Sequence, residues 1–183
     1  MTTGPRTPPA QRGGNKPAWE IITRSPAETV ALGSALAGCL QDGDVVLLHG
    51  DLGAGKTTLA KGIAAALGVR DVVSSPSFSL VNEYDTEPAV AVSRLFHLDL
   101  YRLGDESDLA SIGFDDLMAS GDGVMLVEWP ERAAAVLPER FLLIEIEPVG
   151  AGDRRLRFVP TPNDGAWMDR FTRLGSALAA NSN

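Results

Sequence analysis

Apolar residues along the chain occur in two arrangements, short uninterrupted runs and longer stretches in which they recur every three or four positions. Short apolar runs between turn signals predict buried β-strands, whereas the longer spacing predicts amphipathic helices. The predicted strands are residues 45–49, 93–98, 124–127, 141–146 and 156–159. The predicted helices run from Ser25 to the turn at 42–44, over 57–67, over part of 105–120 and over 164–180.

The order of these elements predicts an α/β fold, because strands that alternate with helices form a largely parallel sheet covered by helices. The first helix has a clear start, with Ser25 as N-cap, Pro26 in the first helical position and Glu28 completing a capping box. Residues 1–17 are rich in Pro, Gly, Thr and Arg and are predicted to be a disordered tail. Residues 18–183 then form a single domain.

A glycine-rich loop joins the predicted strand at 45–49 to the helix at 57–67. It matches the pattern G-x-x-x-x-G-K-[ST] in full, in the strand–loop–helix context that the pattern requires. The glycines let successive N–H groups surround phosphate oxygens, and the next helix presents its positive end. Lys56 would reach the β- and γ-phosphates, and the Thr57 hydroxyl would bind Mg²⁺. We therefore expect an ATPase whose nucleotide contacts are Asp51, Leu52, Gly53, Ala54, Gly55, Lys56, Thr57 and Thr58.

Two acidic residues directly follow predicted strands and are candidates for the Mg²⁺ side of the site. Glu128 follows the run 124–127, and Asp99 follows the run 95–98. A carboxylate in such a place holds the metal or its water shell and orients the attacking water. We assign Glu128 to the metal because its strand is the more apolar, and Asp99 to the metal's surroundings or to water activation. The direct metal ligand stays open between these two acids.

The segment 73–81, between the helix at 57–67 and the next strand, is rich in hydroxyl groups. P-loop hydrolases carry a switch loop in this place, which brings hydroxyls toward the γ-phosphate and Mg²⁺. Ser75 and Ser77 are the candidates for that role. Trp129, next to Glu128, either forms a wall of the site or closes the edge of the core. His97, in the middle of its strand, is expected to be structural.

The bulk composition restricts the functions that are open to the chain. A net charge of −8 repels phosphate backbones, so direct binding of nucleic acid is disfavoured. The single cysteine, Cys39, excludes an internal disulfide and favours a reducing, cytoplasmic compartment. No apolar run approaches the roughly 20 residues that span a bilayer, so we expect no association with a membrane.

Four motifs in this order resemble those of one family. Besides the loop at 50–58, they are Ser-Pro-Ser-Phe-Ser-Leu-Val at 75–81, His-Leu-Asp-Leu-Tyr-Arg-Leu at 97–103 and Val-Glu-Trp-Pro-Glu at 127–131. Their order and spacing are similar to those of the TsaE (YjeE) family, over roughly residues 20–160. The resemblance implies a P-loop NTPase-like three-layer sandwich with a mixed, mainly parallel central sheet.

The resemblance also implies a function. The family is the ATPase component of bacterial tRNA threonylcarbamoyladenosine synthesis, and its members bind ATP and Mg²⁺. They act with the TsaD and TsaB proteins, which transfer a threonylcarbamoyl group to adenosine 37 of tRNAs that read codons beginning with A. The ATPase does not modify the base, so tRNA would be contacted only indirectly, and its nucleotide cycle would reset the complex between turnovers.

Roles of individual residues follow from the resemblance as well. Thr57 and Glu128 match the family's Mg²⁺ ligands, and Lys56 matches its phosphate-binding lysine. Asp99 matches an acid needed for hydrolysis, and Trp129 matches the neighbour of the metal-binding glutamate.

Two further features of the family have counterparts in this chain. Its switch motif, usually Ser-Pro-Thr, reads Ser-Pro-Ser at 75–77, and the serine keeps the hydroxyl. An arginine soon after the last long strand contacts the nucleotide in relatives. Arg154 fits that place best by spacing, and Arg155 and Arg157 are close rivals. The helix start at 25–29 is a candidate border of the adenine site.

Three alternatives remain open at this point. A small-molecule kinase of the P-loop class needs an acceptor pocket and usually an arginine-rich lid, whereas the arginines at 132, 140 and 154–157 are scattered. A GTPase commonly carries Asn-Lys-x-Asp, and the nearest sequence, at 15–18, lacks the aspartate. A nucleotide-dependent, non-catalytic binding module would bind ATP without turnover.

Overall fold

The computed structural model describes residues 18–104 and 106–180, so the predicted tail at 1–17 lies outside the described residues. The strands are β1 (Trp19–Thr23), β2 (Val45–His49), β3 (Val81–Asp85), β4 (Arg94–Asp99), β5 (Val124–Glu128), β6 (Phe141–Pro148) and β7 (Arg154–Thr161). The helices are α1 (Pro26–Ala37), α2 (Lys56–Ala66), α3 (Glu106–Ser111), α4 (Phe114–Ser120) and α5 (Gly165–Ala180), with a short 3₁₀ turn at Pro130–Ala133.

The strands form one seven-stranded sheet in the order β1-β7-β6-β2-β5-β4-β3. The neighbours β6, β2, β5 and β4 run parallel to one another, while β7, β1 and β3 are added antiparallel at the two sides. The expected mixed α/β sheet is therefore confirmed. Its parallel part is the centre, where the strands are the most apolar.

Two of these strands, β1 and β3, were missed by the hydrophobic pattern. They are the edge strands of the sheet, and each has two exposed residues at alternate positions, Glu20 and Ile22 on β1 and Glu83 and Asp85 on β3. Edge strands carry charges that discourage pairing with other chains, here Glu20 on β1 and Glu83 and Asp85 on β3. Such residues interrupt the apolar run that reveals a buried strand.

Helices cover both faces of the sheet and give three layers. On one face, apolar residues of α1, α2 and α5 pack against alternate positions of β2, β5, β6 and β7. On the other face, Leu109 and Phe114 from α3 and α4 pack against the remaining positions of β2, β4 and β5. Within the described part of the chain, no helix is long and apolar enough to cross a membrane.

Helix α1 begins as predicted, with one difference in its cap. Ser25 Oγ accepts a hydrogen bond from the Glu28 N–H at 3.1 Å. The Glu28 carboxylate accepts from the N–H of Arg24 at 2.8 Å, one residue before the N-cap that a capping box would use. One orphan donor of the helix start, the Glu28 N–H, is therefore satisfied, and the second bond ties the residue before the N-cap to the first turn.

Helices α1 and α2 touch backbone to backbone through glycines. A Cβ added to Gly62 would lie 2.1 Å from the carbonyl oxygen of Val30, and one added to Gly33 would lie 2.4 Å from that of Leu59. Only glycine permits this approach. The helix that follows the glycine-rich loop is thus held directly on α1.

The C-terminal helix α5 closes the first core, as its spacing predicted. Trp167, Phe171 and Leu174 are buried there. Arg170 donates from Nη1 to Asp44 Oδ2 at 2.6 Å, and both side chains are buried. This ion pair attaches α5 to the turn before β2.

Candidate functional site

The glycine-rich loop leaves the carboxyl end of β2, the central strand of the parallel part, and enters α2. Gly53 has φ +79° and Gly55 has φ +113°, which are left-handed values that favour glycine. A Cβ on Gly50 would lie 2.3 Å from the carbonyl oxygen of Ile146. These glycines allow the loop to curl over the start of α2, as the motif requires.

Lys56 is buried under this loop. Its ammonium donates to the carbonyl oxygens of Gly50 at 2.6 Å and Asp51 at 2.9 Å. The ring of Trp129 lies beneath it, with its centroid 3.9 Å from Nζ. Burial lowers the pKa of Lys56, while the negative charge of Glu128 and other nearby carboxylates opposes this. The ammonium of Lys56 is thus held against the loop by two carbonyl oxygens that carry no formal charge.

Glu128 lies at the end of β5 and is 2% exposed. Its Oε1 accepts a hydrogen bond from Thr57 Oγ1 at 2.9 Å and a second from His97 Nε2 at 2.9 Å. The two residues predicted as Mg²⁺ ligands are therefore in direct contact, 71 positions apart in sequence.

Asp99 ends β4 and pairs in register with Glu128 on the neighbouring parallel strand. Its carboxylate is 4% exposed and accepts hydrogen bonds from Ser75 Oγ and, at 3.0 Å, from the N–H of Tyr101. One hydroxyl of the predicted switch segment thus reaches one of the two predicted acids.

A cleft of about 470 Å³ opens beside these groups. Most of its wall consists of residues predicted from the sequence. They are Leu52, Gly53, Gly55, Lys56, Thr57, Thr58, Ser75, Ser77, Asp99, Glu128 and Trp129. Tyr101 and Arg102 complete the wall and had no predicted role. Asp51 and Ala54 lie in the loop but not in this wall.

Trp129 lines the cleft and also packs against the second core cluster, so both positions that the sequence left open are occupied by this one side chain. Its backbone has φ +60°, a left-handed value that is rare for a bulky residue. Tyr101 packs against its ring with the centroids 4.9 Å apart. The turn after Glu128 therefore directs an aromatic face toward the ammonium of Lys56.

The three candidate arginines of β7 have different surroundings. Arg154 Nε donates to the carbonyl oxygen of Ala54 at 2.9 Å, so it contacts the glycine-rich loop. Arg155 and Arg157 instead bond to Glu147 at 2.7 and 3.0 Å. Arg154 alone of the three contacts the loop.

His97 was expected to be structural, yet it contacts a candidate metal ligand. It lies two positions before Asp99 on β4, and strand residues two apart share one face. Glu128 lies on the same face of the neighbouring strand. The strand pattern along 95–99 therefore indicated that His97 and Asp99 share a face of the sheet. Only the pairing of β4 with β5 shows that Glu128 is the residue that His97 contacts.

The donor set fits Mg²⁺. Within the described residues, Asp99 and Glu128 are buried carboxylates that form no ion pair with lysine or arginine. In the same part of the chain, no group of three or more His, Cys, Asp or Glu is placed to hold a metal. Mg²⁺ does not require one, because it binds through one or two protein oxygens and completes its shell with water and substrate phosphates.

Known proteins resemble this chain in sequence and structure. The family model for "Threonylcarbamoyl adenosine biosynthesis protein TsaE" matches residues 23–156. The tRNA threonylcarbamoyladenosine biosynthesis protein TsaE of Bacillus subtilis (strain 168) is 40% identical over 145 residues, 79% of this chain and 86% of that protein. Its namesake from Treponema pallidum (strain Nichols) is 36% identical over 135 residues, 74% of this chain and 96% of that one. The crystal structure of YdiB from Bacillus subtilis superimposes with a TM-score of 0.68 and 33% identity, covering 90% of this chain and 96% of that chain.

Proposed function

The chain belongs to the TsaE family, and on that premise we propose that it is the ATP-binding, Mg²⁺-dependent ATPase required for threonylcarbamoyladenosine formation in tRNA. The modified base is adenosine 37 of tRNAs that read ANN codons. The chain acts through TsaD and TsaB and does not modify the base itself.

One observation carries the proposal. Lys56, Thr57, Asp99 and Glu128 come from three separate segments and meet at one cleft beside a curled glycine loop. Within the described residues, Asp99 and Glu128 have no lysine or arginine as ion-pair partner, and the charge of Lys56 acts on them only from a greater distance. Buried carboxylates in such surroundings are unfavourable in a folded chain. A bound cation offsets that cost, and a triphosphate beside the loop supplies the oxygens that this cation would share.

The loop and Lys56 bind the triphosphate in this proposal. The backbone N–H groups of the loop and the amino end of α2 attract phosphate oxygens. Lys56 exchanges two neutral carbonyl partners, those of Gly50 and Asp51, for charged phosphate oxygens. Burial, which lowers its pKa, makes an anionic partner more valuable to this ammonium. Arg154 supports the loop from the side through Ala54.

Thr57 and Glu128 would hold Mg²⁺, which when bound neutralises charge on the phosphates. Asp99 is left to orient and deprotonate the attacking water. Its carboxylate already accepts two hydrogen bonds, from Ser75 and from the N–H of Tyr101, which fix its direction. Ser77 lines the same cleft, so the segment 75–77 senses whether the γ-phosphate is present.

The charge of the chain agrees with an indirect role at tRNA. A net charge of −8 repels the RNA backbone, so the partner proteins would supply the basic surface. A cytoplasmic location is part of the proposal, because the substrate tRNA is found there.

The test is ATP hydrolysis by the purified chain with and without TsaD and TsaB. We expect slow turnover alone and faster turnover with both partners. Lys56→Ala should abolish binding of ATP in calorimetry, while Lys61→Ala, an exposed lysine of the same helix, should bind like the parent. ATP binding without turnover, even with the partners, would favour a non-catalytic module. A rate that the partners leave unchanged would contradict the proposal.

A further inference from the structure

We propose that His97 is a positioning residue, which holds the Glu128 carboxylate in the orientation that binds Mg²⁺. The inference rests on the proposed function and extends it to a residue other than Lys56, Thr57, Asp99 and Glu128, which that proposal places at the phosphates, the metal and the attacking water. It is carried by the contacts of one buried imidazole.

The contact is specific at the level of atoms. His97 Nε2 lies 2.9 Å from Glu128 Oε1, the oxygen that also accepts from Thr57 Oγ1 at 2.9 Å. Within the described residues, Glu128 Oε2 accepts no hydrogen bond. Two donors thus hold one carboxylate oxygen, and the other oxygen keeps its lone pairs for a cation.

The tautomer of His97 follows from this arrangement. A carboxylate oxygen only accepts, so the imidazole hydrogen is on Nε2. Nδ1, the other ring nitrogen, is buried with no hydrogen-bond partner among the described residues. A buried polar atom without a partner costs free energy, and an apolar side chain at this position would avoid that cost. The reason for a histidine at this position is therefore the contact of Nε2 with Glu128 Oε1.

Strand register explains why a histidine can make this contact. His97 is paired with Leu126, and Glu128 lies two positions further along β5 on the same face. The side chain must therefore reach diagonally across to the neighbouring strand. An imidazole spans that gap with Nε2, glutamine has comparable reach through its amide nitrogen, and asparagine is shorter.

The experiment measures how much Mg²⁺ strengthens binding of a non-hydrolysed ATP analogue. Its dissociation constant is determined by calorimetry in excess EDTA and in excess Mg²⁺, for the parent, His97→Met and His97→Gln. Outer partners of metal ligands typically contribute about 10–100-fold to metal affinity. We therefore expect Mg²⁺ to strengthen binding of the analogue about tenfold less in His97→Met than in the parent. The dissociation constant in EDTA should stay within about twofold of the parent value. His97→Gln should retain most of the strengthening, because the amide still donates to Glu128.

Two controls separate positioning from a structural role. Thermal unfolding of His97→Met should occur close to the parent temperature, because the variant removes both a buried unpaired nitrogen and one of the two hydrogen bonds to Glu128 Oε1. In a Glu128→Gln background, His97→Met should change the Mg²⁺ effect by less than about twofold, since its target is already altered. If the methionine variant fails to fold, His97→Asn serves as the loss variant in the same measurements.

The outcomes distinguish the two proposals. Full Mg²⁺ strengthening in a folded His97→Met or His97→Asn variant would overturn the positioning role and leave the proposed function intact. An equal loss in the Glu128→Gln background would also overturn it. A parent protein that binds the analogue equally with and without Mg²⁺ would overturn the proposed function and this inference together.

Discussion

Two groups of carboxylates on the same sheet differ in their surroundings. Asp99 and Glu128, at the ends of β4 and β5, are buried and, within the described residues, have no lysine or arginine as ion-pair partner. Toward the opposite edge of the sheet, the partly exposed carboxylates of β1 and β6 each lie beside one or both of two arginines of β7. These carboxylates are Glu20, Glu145 and Glu147, and the arginines are Arg155 and Arg157.

The difference indicates which group serves a ligand. An exposed carboxylate with a guanidinium beside it contributes about 0–1 kcal/mol and costs the fold little. A buried carboxylate without an ion-pair partner lowers the stability of the folded chain. In the proposed function, a cation from outside the chain compensates the unpaired acids, whereas the paired acids have a structural role.

Burial alone does not make this distinction. Asp44 is also buried, yet its Oδ2 accepts from Arg170 at 2.6 Å and from the N–H of Gln41 at 2.9 Å. It is a buried carboxylate with its own cation. Asp44 thus separates the effect of burial from the effect of missing a partner.

The comparison is tested most strongly at Glu128. Glu128→Gln keeps the shape and removes the charge, so we expect Mg²⁺-dependent hydrolysis to fall about 100-fold or more, with nucleotide binding partly retained. The free energy of unfolding should not decrease, because a buried unpaired charge is lost. Steady-state ATPase rates and urea unfolding measure the two effects. Activity that persists in this variant would point to Asp99 as the direct metal ligand.

A second test breaks the buried pair that does have a cation. Arg170→Met leaves Asp44 uncompensated and should lower the free energy of unfolding by about 3 kcal/mol at pH 7. ATP binding should remain unchanged, because α5 does not line the cleft. Chemical denaturation and calorimetry measure these two outcomes. A loss of stability below about 1 kcal/mol would mean that burial of Asp44 is not compensated by this arginine.

The same variant has a pH dependence of known sign. Burial raises the pKa of Asp44, with the Gln41 N–H and Arg170 opposing that rise. Without Arg170, the pKa of Asp44 in the folded chain rises further. At pH values just above the ordinary pKa of an aspartate, the folded chain therefore binds a proton at Asp44 more readily than the unfolded chain does. Stability then falls as the pH rises through that window. The deficit of Arg170→Met should therefore be smaller at pH 5 than at pH 7.

The smallest effect is expected at the exposed group. Glu147→Gln removes the carboxylate that Arg155 and Arg157 share, and stability should change by less than about 1 kcal/mol. Hydrolysis and nucleotide affinity should match those of the parent. A large loss of activity in this variant would show that the paired acids also serve the site, and the distinction between the groups would fail.

The sequence predicted the centre of the molecule better than its margins. Continuous apolar runs identified β2, β4 and β5, and the residues at their ends then gave the loop, Asp99 and Glu128. The edge strands β1 and β3 escaped because charged residues break their apolar pattern.

The site residues that escaped prediction depend on pairing between strands. His97 acquires its role only because β4 lies beside β5, with Asp99 opposite Glu128. For the arginine of β7, spacing favoured Arg154 but left Arg155 and Arg157 as close rivals. The structure separates them because Arg154, the first residue of β7, reaches Ala54, whereas the other two face the acids of β6. Contacts of this kind depend on which strands and loops are neighbours in the folded structure, and the sequence pattern does not show this.

The glycine contact between α1 and α2 has a mechanical consequence. Neither Gly33 nor Gly62 leaves room for a methyl group, so the two helices cannot slide or roll past each other without a collision of backbone atoms. Both move as one rigid base on which the glycine-rich loop stands. The segment at 74–80 is not part of this base, and it joins the cleft to the surface, because Ser75 donates to Asp99 and Phe78 is exposed.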